Sequence, residues 1–347
     1  MIKVGIIGCG KITQVRHAPE YAENPNCEIV AFFDNNYERA QELAKEYNAV
    51  ACDTLDELLD MDLDAVSVNV ANFAHADVTV RALNKGKHVL VEKPMATTVN
   101  ECVSMINAAK ENHVQLMVAQ NQRFARAHVK AHELIQSGAI GKVLTFRTVF
   151  GHPGPEGWTG DANSWFFDKK LAHFGAMADL GVHKTDLMHY LLDDEITDVF
   201  AQIRTLDKKY PDGTPITVDD NSYCMYQTKK GAIGTMHVSW TFYGNEDNST
   251  VIYGTEGILK CYTDPEYSLI LEKKNGEVEK FQLDQMTSNK EQTSNGRTNT
   301  GVIDGFVNAL LEGKEVPVPG YDASKAMRVV IAAEESAAKN CMVKVKY

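Results

Sequence analysis

Residues 2–13 read IKVGIIGCGKIT, an apolar, β-branched run that stops at Gly8 and Gly10 before helix-compatible residues begin near Ile12. The same grammar repeats down the first third of the chain. CEIVAFFD (27–34) precedes YERAQELAKEY (37–47), a short strand near Ala49 to Cys52 leads into TLDELLDM, and DAVSVNV (64–70) precedes a helix reaching about Lys85. HVLVEK (88–93), a helix over 98–112 and QLMVAQN (115–121) complete the set. Strands that read as near-continuous apolar runs, each followed by a helix, are buried on both faces. The pattern therefore predicts a doubly wound parallel sheet, an α/β domain.

After about residue 122 the pattern changes. FARAHVKAHELIQSG is helical with Gly138 as its stop, and KVLTFRTVF reads as a strand. From 196 onward strands follow one another through turn residues, and KKNGE carries the Asn-Gly of a tight hairpin. Strand runs without intervening helices predict a largely antiparallel sheet in a second domain, and two helices, near 300–313 and 322–339, close the chain. A length of 347 residues is long for one core, and the expected division is 1–122 and 123–347.

Composition narrows the function. The net charge of −12 and the pI near 5.4, with no large Lys/Arg cluster, argue against nucleic acid and favour a small-molecule substrate. Seven scattered cysteines without a C-x-x-C pair suggest neither a disulfide framework nor a zinc site. No apolar run reaches membrane-spanning length, and the apolar start runs into a glycine turn too soon for a signal-peptide core. A cytoplasmic protein without membrane attachment is expected.

Glycines between a strand and a helix let backbone approach a pyrophosphate whose charge sits on the helix N-terminus. A lone G-x-G also fits an ordinary turn, and the usual third small residue is here Thr13. The second strand, however, ends at Asp34, where an acid hydrogen-bonds an adenosine ribose. The order strand, turn, helix, strand, acid implies a dinucleotide held by Gly8, Gly10, Lys11, Ile12, Asp34 and Asn35. A carboxylate at Asp34 repels a 2′-phosphate and Asn35 and Asn36 offer it no cation, so NAD is expected over NADP. Arg39 is the nearby cation that would upset this, unless its helical position faces solvent.

Two further stretches carry chemistry. HVLVEKPM (88–95) ends a buried strand on Glu92 and Lys93, and Pro94 stops its continuation. Lys93 is thereby placed on the carboxyl edge of the sheet, where ligands bind in open α/β folds. In MADLGVHKTD (177–186), Asp179 and His183 share a helical face, and a carboxylate beside an imidazole suits a general base. An N-cap Asp with a satisfied core His fits the same residues. Asp179, His183 and Asp186 have metal-ligand spacing, but no fourth ligand is evident and no metal is expected.

Together, GIIGCGKI, VEKPMA and ADLGVHKTD, with IQSGAIGKV and YGTEGIL later, resemble the glucose-fructose oxidoreductase/inositol dehydrogenase (Gfo/Idh/MocA) family across nearly the whole chain. The resemblance implies a Rossmann domain followed by an α+β domain with a large open sheet, whose exposed face makes homodimers and homotetramers. It implies NAD(P)-dependent hydride transfer at a secondary hydroxyl of a sugar or inositol-like polyol. Lys93 would bond the reacting hydroxyl, His183 would be the acid/base, and Asp179 would orient it or touch substrate. Asn72, His75, Glu92 and Lys93 would adjoin the cofactor. Two stretches depart from the family's pattern: Val70-Ala71-Asn72-Phe73-Ala74-His75 keeps only the Asn and His of T-P-N-x-x-H. His173-Phe174-Gly175 keeps one of three glycines.

The loop GHPGPEGWTGDANSWFFD (151–168) reads as a lid, with Trp158 and Trp165 offering faces for a sugar ring and His152, Asp161, Asn163 and Asp168 offering hydrogen bonds. The trio Trp165-Phe166-Phe167 fits core anchoring equally well, which leaves Trp158 as the exposed ring. Arg123 reads either as reaching the nicotinamide or substrate or as a domain-junction salt bridge. His17 and His237 read as packing or surface residues, and CVSMINAAK as core. An NAD-assisted glycosidase using transient oxidation, or a sugar or NAD sensor, uses the same motifs and stands as the alternative to a dehydrogenase.

Overall fold

A computed structural model describes residues 1–285 and 299–347. Among these residues the strands form two sheets. The first takes β1 (Ile2–Ile7), β2 (Cys27–Phe33), β3 (Val50–Ala51), β4 (Ala65–Val68), β5 (His88–Val91) and β6 (Leu116–Val118) in the order β3-β2-β1-β4-β5-β6. Its pairings are all parallel. The chain builds outward from β1, then returns and builds the other way from β4, so the reversal lies between β1 and β4. That is the switch point at which open α/β sheets bind ligands. Val89, Leu90 and Val91 are wholly buried, and each such side chain contributes about 1.5–3 kcal/mol relative to exposure. This burial fixes where β5 ends, and hence where Glu92 and Lys93 stand.

Helix Val99–Glu111 shows how local chemistry sets a boundary. The Thr98 hydroxyl accepts the Glu101 amide, and the Glu101 carboxylate takes the amides of Thr97 and Thr98, a capping box worth about 1 kcal/mol. Cys102, Met105, Ala108 and Ala109 then face the sheet, the core role expected of CVSMINAAK.

The second sheet holds β7 (Val143–Gly151), β8 (Ile196–Arg204), β9 (Asn221–Thr228), β10 (Ile233–Ser239), β11 (Thr250–Gly254), β12 (Gly257–Cys261), β13 (Leu269–Lys273), β14 (Val278–Phe281) and β15 (Val343–Lys344). Their order is β14-β13-β12-β11-β7-β10-β9-β8-β15, with β7 and β10 parallel and the other pairs antiparallel. The KKNGE segment closes the β13–β14 hairpin, with Gly276 at φ +91°. One face of this sheet lies under helices Arg126–Gln136 and Val182–Leu192. The other leaves Tyr223, Met225 and Ile233 about half exposed in alternation along β9 and β10. Strict alternation is what a sheet with one covered face requires.

The chain divides into two compact units. The first contains Met1–Gln120 and takes back a later stretch ending at Ser324, which includes helix Val302–Glu312; the second starts at Asn121 and resumes from Lys325 to Tyr347.

Candidate active site

In the first unit, Gly8 has φ +94° and its backbone lies so close to β4 that a Cβ would sit 2.5 Å from the Asn69 carbonyl oxygen, so only glycine fits. Gly10 is different. A Cβ there would meet nothing within 4 Å, and this open space above the turn is what an approaching pyrophosphate needs. Lys11 is exposed and Ile12 half-buried at the same turn. Asp34 accepts the Cys9 amide on one carboxylate oxygen at 2.7 Å and the Asn36 amide on the other at 2.7 Å. This ties the acid to the glycine turn while each oxygen keeps a second lone pair for a ribose hydroxyl. Asn35 is exposed beside it. Burial and the Asp34 charge push the Cys9 thiol up to about 12, and Arg39 works against them, so that exposed guanidinium lies within electrostatic reach of the turn.

The turn continues into a π-helical segment, Thr13–His17, and then helix Ala18–Glu23. The segment aims two buried side chains inward. Thr13 Oγ1 donates to the Gly8 carbonyl at 2.6 Å and accepts from Asn69 Nδ2 at 3.0 Å. His17 bonds Ser67 Oγ at 3.0 Å through Nδ1 and Glu92 Oε1 at 2.8 Å through Nε2. Ser67 in turn bonds Asn69 Oδ1 at 3.3 Å, and the other Glu92 oxygen accepts the Lys93 amide at 2.9 Å. One buried chain of hydrogen bonds thus runs from the glycine turn to the backbone of Lys93. Thr13, a departure from the small residue expected there, is its first link. His17, which reads from sequence as packing or surface, is its centre. Ser67 and Asn69, polar positions in the otherwise apolar run AVSVNV, were the available signal.

Burial opposes charge on Glu92, but the His17 hydrogen bond and the charges of His17, Lys93 and Arg16 outweigh it and hold the carboxyl at about 2. Lys93 itself is half-buried, and its bond to Pro94 is cis. The buried His75 braces the far side of this turn. Burial pushes its ring towards the neutral form, which donates through one nitrogen only; Nδ1 lies 2.7 Å from the Pro94 carbonyl and Nε2 3.0 Å from that of Val70. Both ring nitrogens, expected beside a cofactor, face backbone here. Asn72 is buried in the short turn Asn72–Ala74 before it.

In the second unit the Asp-His motif starts in a second π-helical segment, Met177–Gly181, which runs into helix Val182–Leu192. Asp179 and His183 are nearly buried, and Asp179 Oδ2 accepts the indole N–H of Trp240 at 3.1 Å. Trp240, wholly buried at the end of β10, was not singled out by sequence, where HVSWTF reads as ordinary strand. His183 adjoins the Phe150 ring, with centroids 6.2 Å apart. Lys184 is fully buried, donates to the Asn248 carbonyl at 2.9 Å, and burial draws its ammonium down to about 7. Arg123 makes a two-pronged bond to Asp186, at 2.7 and 2.6 Å, and lies over the Tyr190 ring. This bond lies within the second unit and engages the Asp186 carboxylate that had metal-ligand spacing.

The glycine departure also has a visible form. His173 holds φ +70°, a conformation that favours glycine, and Gly175 stays because a Cβ there would lie 1.8 Å from the Asp219 carbonyl oxygen. In the loop, Trp165 stacks on Phe166 at 4.0 Å, Trp158 meets Phe166 edge-on, and Phe166 and the buried Phe167 pack on Trp240. Trp158 and Trp165 are both half-buried. Asp161 accepts the Asn163 amide within the loop, and Asp168 accepts the Lys170 amide as the N-cap of helix Lys169–Ala172. His237 stacks on Tyr223 on the uncovered sheet face.

The Glu92 carboxyl lies at about 2 against an ordinary 4.5. Its contribution is therefore complete above pH 4.5 and disappears as pH falls towards 2, and the gap is worth up to ~3 kcal/mol. Glu92→Gln removes the charge and is expected to lower stability at pH 6 by about 3 kcal/mol. Denaturant unfolding at pH 6 and pH 3 checks this: the wild type's advantage over the variant shrinks at pH 3, and an equal gap at both values refutes the assignment.

Comparison with known proteins agrees with this architecture. Residues 2–120 match the oxidoreductase family with an NAD-binding Rossmann fold, and residues 128–260 match the GFO/IDH/MocA C-terminal domain. Levoglucosan dehydrogenase of Pseudarthrobacter phenanthrenivorans is 30% identical over 74% of this chain and 73% of its own. Glucose-6-phosphate 3-dehydrogenase of Bacillus subtilis is 31% identical over 66% of this chain and 65% of its own. A solved levoglucosan dehydrogenase in complex with NADH and levoglucosan superposes with a TM-score of 0.87 at 26% identity, covering 99% of each chain. With the glycine cradle, the Glu-Lys-Pro turn and the Asp-His helix in place, the chain belongs to the Gfo/Idh/MocA family of oxidoreductases.

Proposed function

We propose that this protein is an NAD-dependent dehydrogenase that moves hydride between nicotinamide and the C3 hydroxyl carbon of a glucose-type pyranose. The observation that carries the reading is Lys93 at the carboxyl end of β5, its amide locked to a buried, ionised Glu92 that is wired to the glycine cradle. The named substrates of the relatives narrow the position. In levoglucosan C1 and C6 are tied up in the anhydro bridge, leaving ring hydroxyls at C2, C3 and C4, and the glucose-6-phosphate relative is named for position 3.

Bound nicotinamide supplies a two-electron acceptor for the C3 hydride. With the C3 hydrogen leaving as hydride, His183 would take the hydroxyl proton and the C3–O bond would become a ketone carbonyl. The Lys93 ammonium donates a hydrogen bond to that oxygen as its charge develops. Asp179, its position set by the Trp240 N–H, orients His183. Trp158 and Trp165 offer stacking faces to the pyranose C–H groups. Asp34 turns a negative charge towards the ribose and thereby favours NAD over NADP. The uncovered face of the second sheet, with Tyr223, Met225 and Ile233 exposed, pairs with a second copy of this chain.

Mixing the protein with NAD and levoglucosan, glucose 6-phosphate or methyl glucosides is expected to raise reduced-nicotinamide absorbance, with a 3-keto product by NMR. Lys93→Met is expected to cut kcat by about 10²–10⁴-fold while leaving the Kd for NAD nearly unchanged; lost NAD binding would make Lys93 structural instead. Asp34→Ala should weaken NAD and narrow its advantage over NADP by about tenfold, read from the two kcat/KM values. An unchanged ratio would place ribose recognition elsewhere. Met225→Glu should convert the dimer to an active monomer in light scattering, and a variant that stays dimeric rules this face out.

A further inference from the structure

Both acids of the sequence TVDDNS (217–222) are buried. Asp219 takes three successive amides. Its carboxylate accepts Gly175 N–H at 2.7 Å and Met177 N–H at 2.8 Å, and its main-chain carbonyl accepts Ala176 N–H at 3.0 Å. These are the amides by which the chain enters the segment bearing Asp179. The Ser222 hydroxyl braces the same carboxylate at 3.0 Å. Asp220 does the same for a different segment, accepting the amides of Leu206 at 2.8 Å, Asp207 at 2.8 Å and Lys208 at 2.7 Å. Lys208 then bonds the Glu156 carboxylate and the Pro153 carbonyl, both in the aromatic loop. Trp240 closes the ring: its backbone N–H donates to the Asp220 carbonyl at 2.8 Å, its indole N–H to Asp179 at 3.1 Å, and Phe166 and Phe167 rest against it.

Six amides converging on two adjacent carboxylates and one carbonyl is more than stability alone requires of a turn. Each acid fixes a separate element, and the two elements meet again at Trp240. Burial pushes the Asp219 carboxyl up while its donors pull against it; in Asp220 the amides outweigh burial and hold it low.

We propose that Asp219, Asp220 and Trp240 form one positioning device in which the segment bearing Asp179 and the aromatic loop are anchored separately and are both seated against Trp240. Asp219 sets the acid/base helix, Asp220 sets the loop that receives the sugar, and Trp240 is the surface both rest on. The device rests on the dehydrogenase reading for its catalytic consequence, and its structural half stands apart from that reading.

Two measurements separate these. Hydrogen–deuterium exchange needs no substrate. Asp219→Asn is expected to speed exchange by about tenfold or more over peptides covering 174–181 while sparing 205–209, and Asp220→Asn to speed 205–209 and 152–158 while sparing 174–181. Uniform acceleration across the second unit, or none, overturns the proposal. With levoglucosan and NAD, Asp220→Asn is expected to raise KM by about tenfold with little change in kcat, and Asp219→Asn to lower kcat by a similar factor with little change in KM. Trp240→Phe, which removes the indole N–H together with part of the buried ring, serves if either Asn variant fails to fold. It should speed exchange in both 174–181 and 152–158 and lower kcat about tenfold. Parallel changes in kcat and KM in both Asn variants overturn this division of roles. A wild type inactive on levoglucosan indicts the substrate reading, and the exchange pattern then decides the device by itself.

Discussion

Glu92 is a carboxylate at the end of a strand buried on both faces, where an unpaired charge would cost several kcal/mol. Everything around it is arranged to remove that cost. His17 reaches it from the first helical segment, and Lys93 gives it a backbone N–H. The outcome is more than neutralisation. Because His17 is itself held by Ser67 and, through Asn69 and Thr13, by the Gly8 carbonyl, the position of Lys93 depends on the same bonds that shape the glycine turn. A buried network is favourable only when every member is satisfied. The turn that would hold a pyrophosphate and the lysine that would meet a hydroxyl are therefore not independent features of the first unit.

Helix Val182–Leu192 poses the same problem in the second unit. It is buried nearly all round, yet its sequence VHKTDLMHYLL is not apolar all round. A soluble helix with that composition would normally turn a polar face to water. Here the polar side chains are met one by one: Lys184 by the Asn248 carbonyl, Thr185 by Tyr226, Asp186 by Arg123. The guanidinium suits Asp186 because its planar fork gives two parallel bonds, which a lysine cannot. Each pairing opposes a rotation or slide that would displace His183, so the polar residues of this helix add to the hold of its buried apolar ones.

The architecture was largely legible in the sequence because it is written locally. Apolar runs such as HVLV, the glycines at the end of β1 and the Asn-Gly of the β13–β14 hairpin each act within a few residues of themselves. Lys93 was legible for the same reason, since a strand that ends on Lys-Pro declares its own end. What stayed hidden is long-range. His17 and Glu92 are 75 residues apart, Asp219 and Gly175 44 apart, Trp240 and Asp179 61 apart, and Arg123 and Asp186 63 apart. No period of 2 or 3.6 carries such pairings. The π-helical segments hid more, because each inserts a residue that shifts the helical phase just where Thr13, His17 and Asp179 point inward.

Departures from a family pattern need not be losses. Thr13 stands where a small residue is usual, and its hydroxyl makes the bond to Gly8 that begins the buried network. His173 occupies a left-handed position that glycine would take without strain, next to Phe174 and to the one retained glycine. Gly175 is retained because the Asp219 carbonyl leaves no room for a side chain. A non-glycine residue at φ +70° costs about 1–2 kcal/mol. The three amides that Asp219 receives at the same corner anchor the backbone against relaxing to a less strained path. The backbone there is thus held by its hydrogen bonds rather than by the conformational freedom of glycine, and residues 173 and 174 can carry side chains that glycines would not supply.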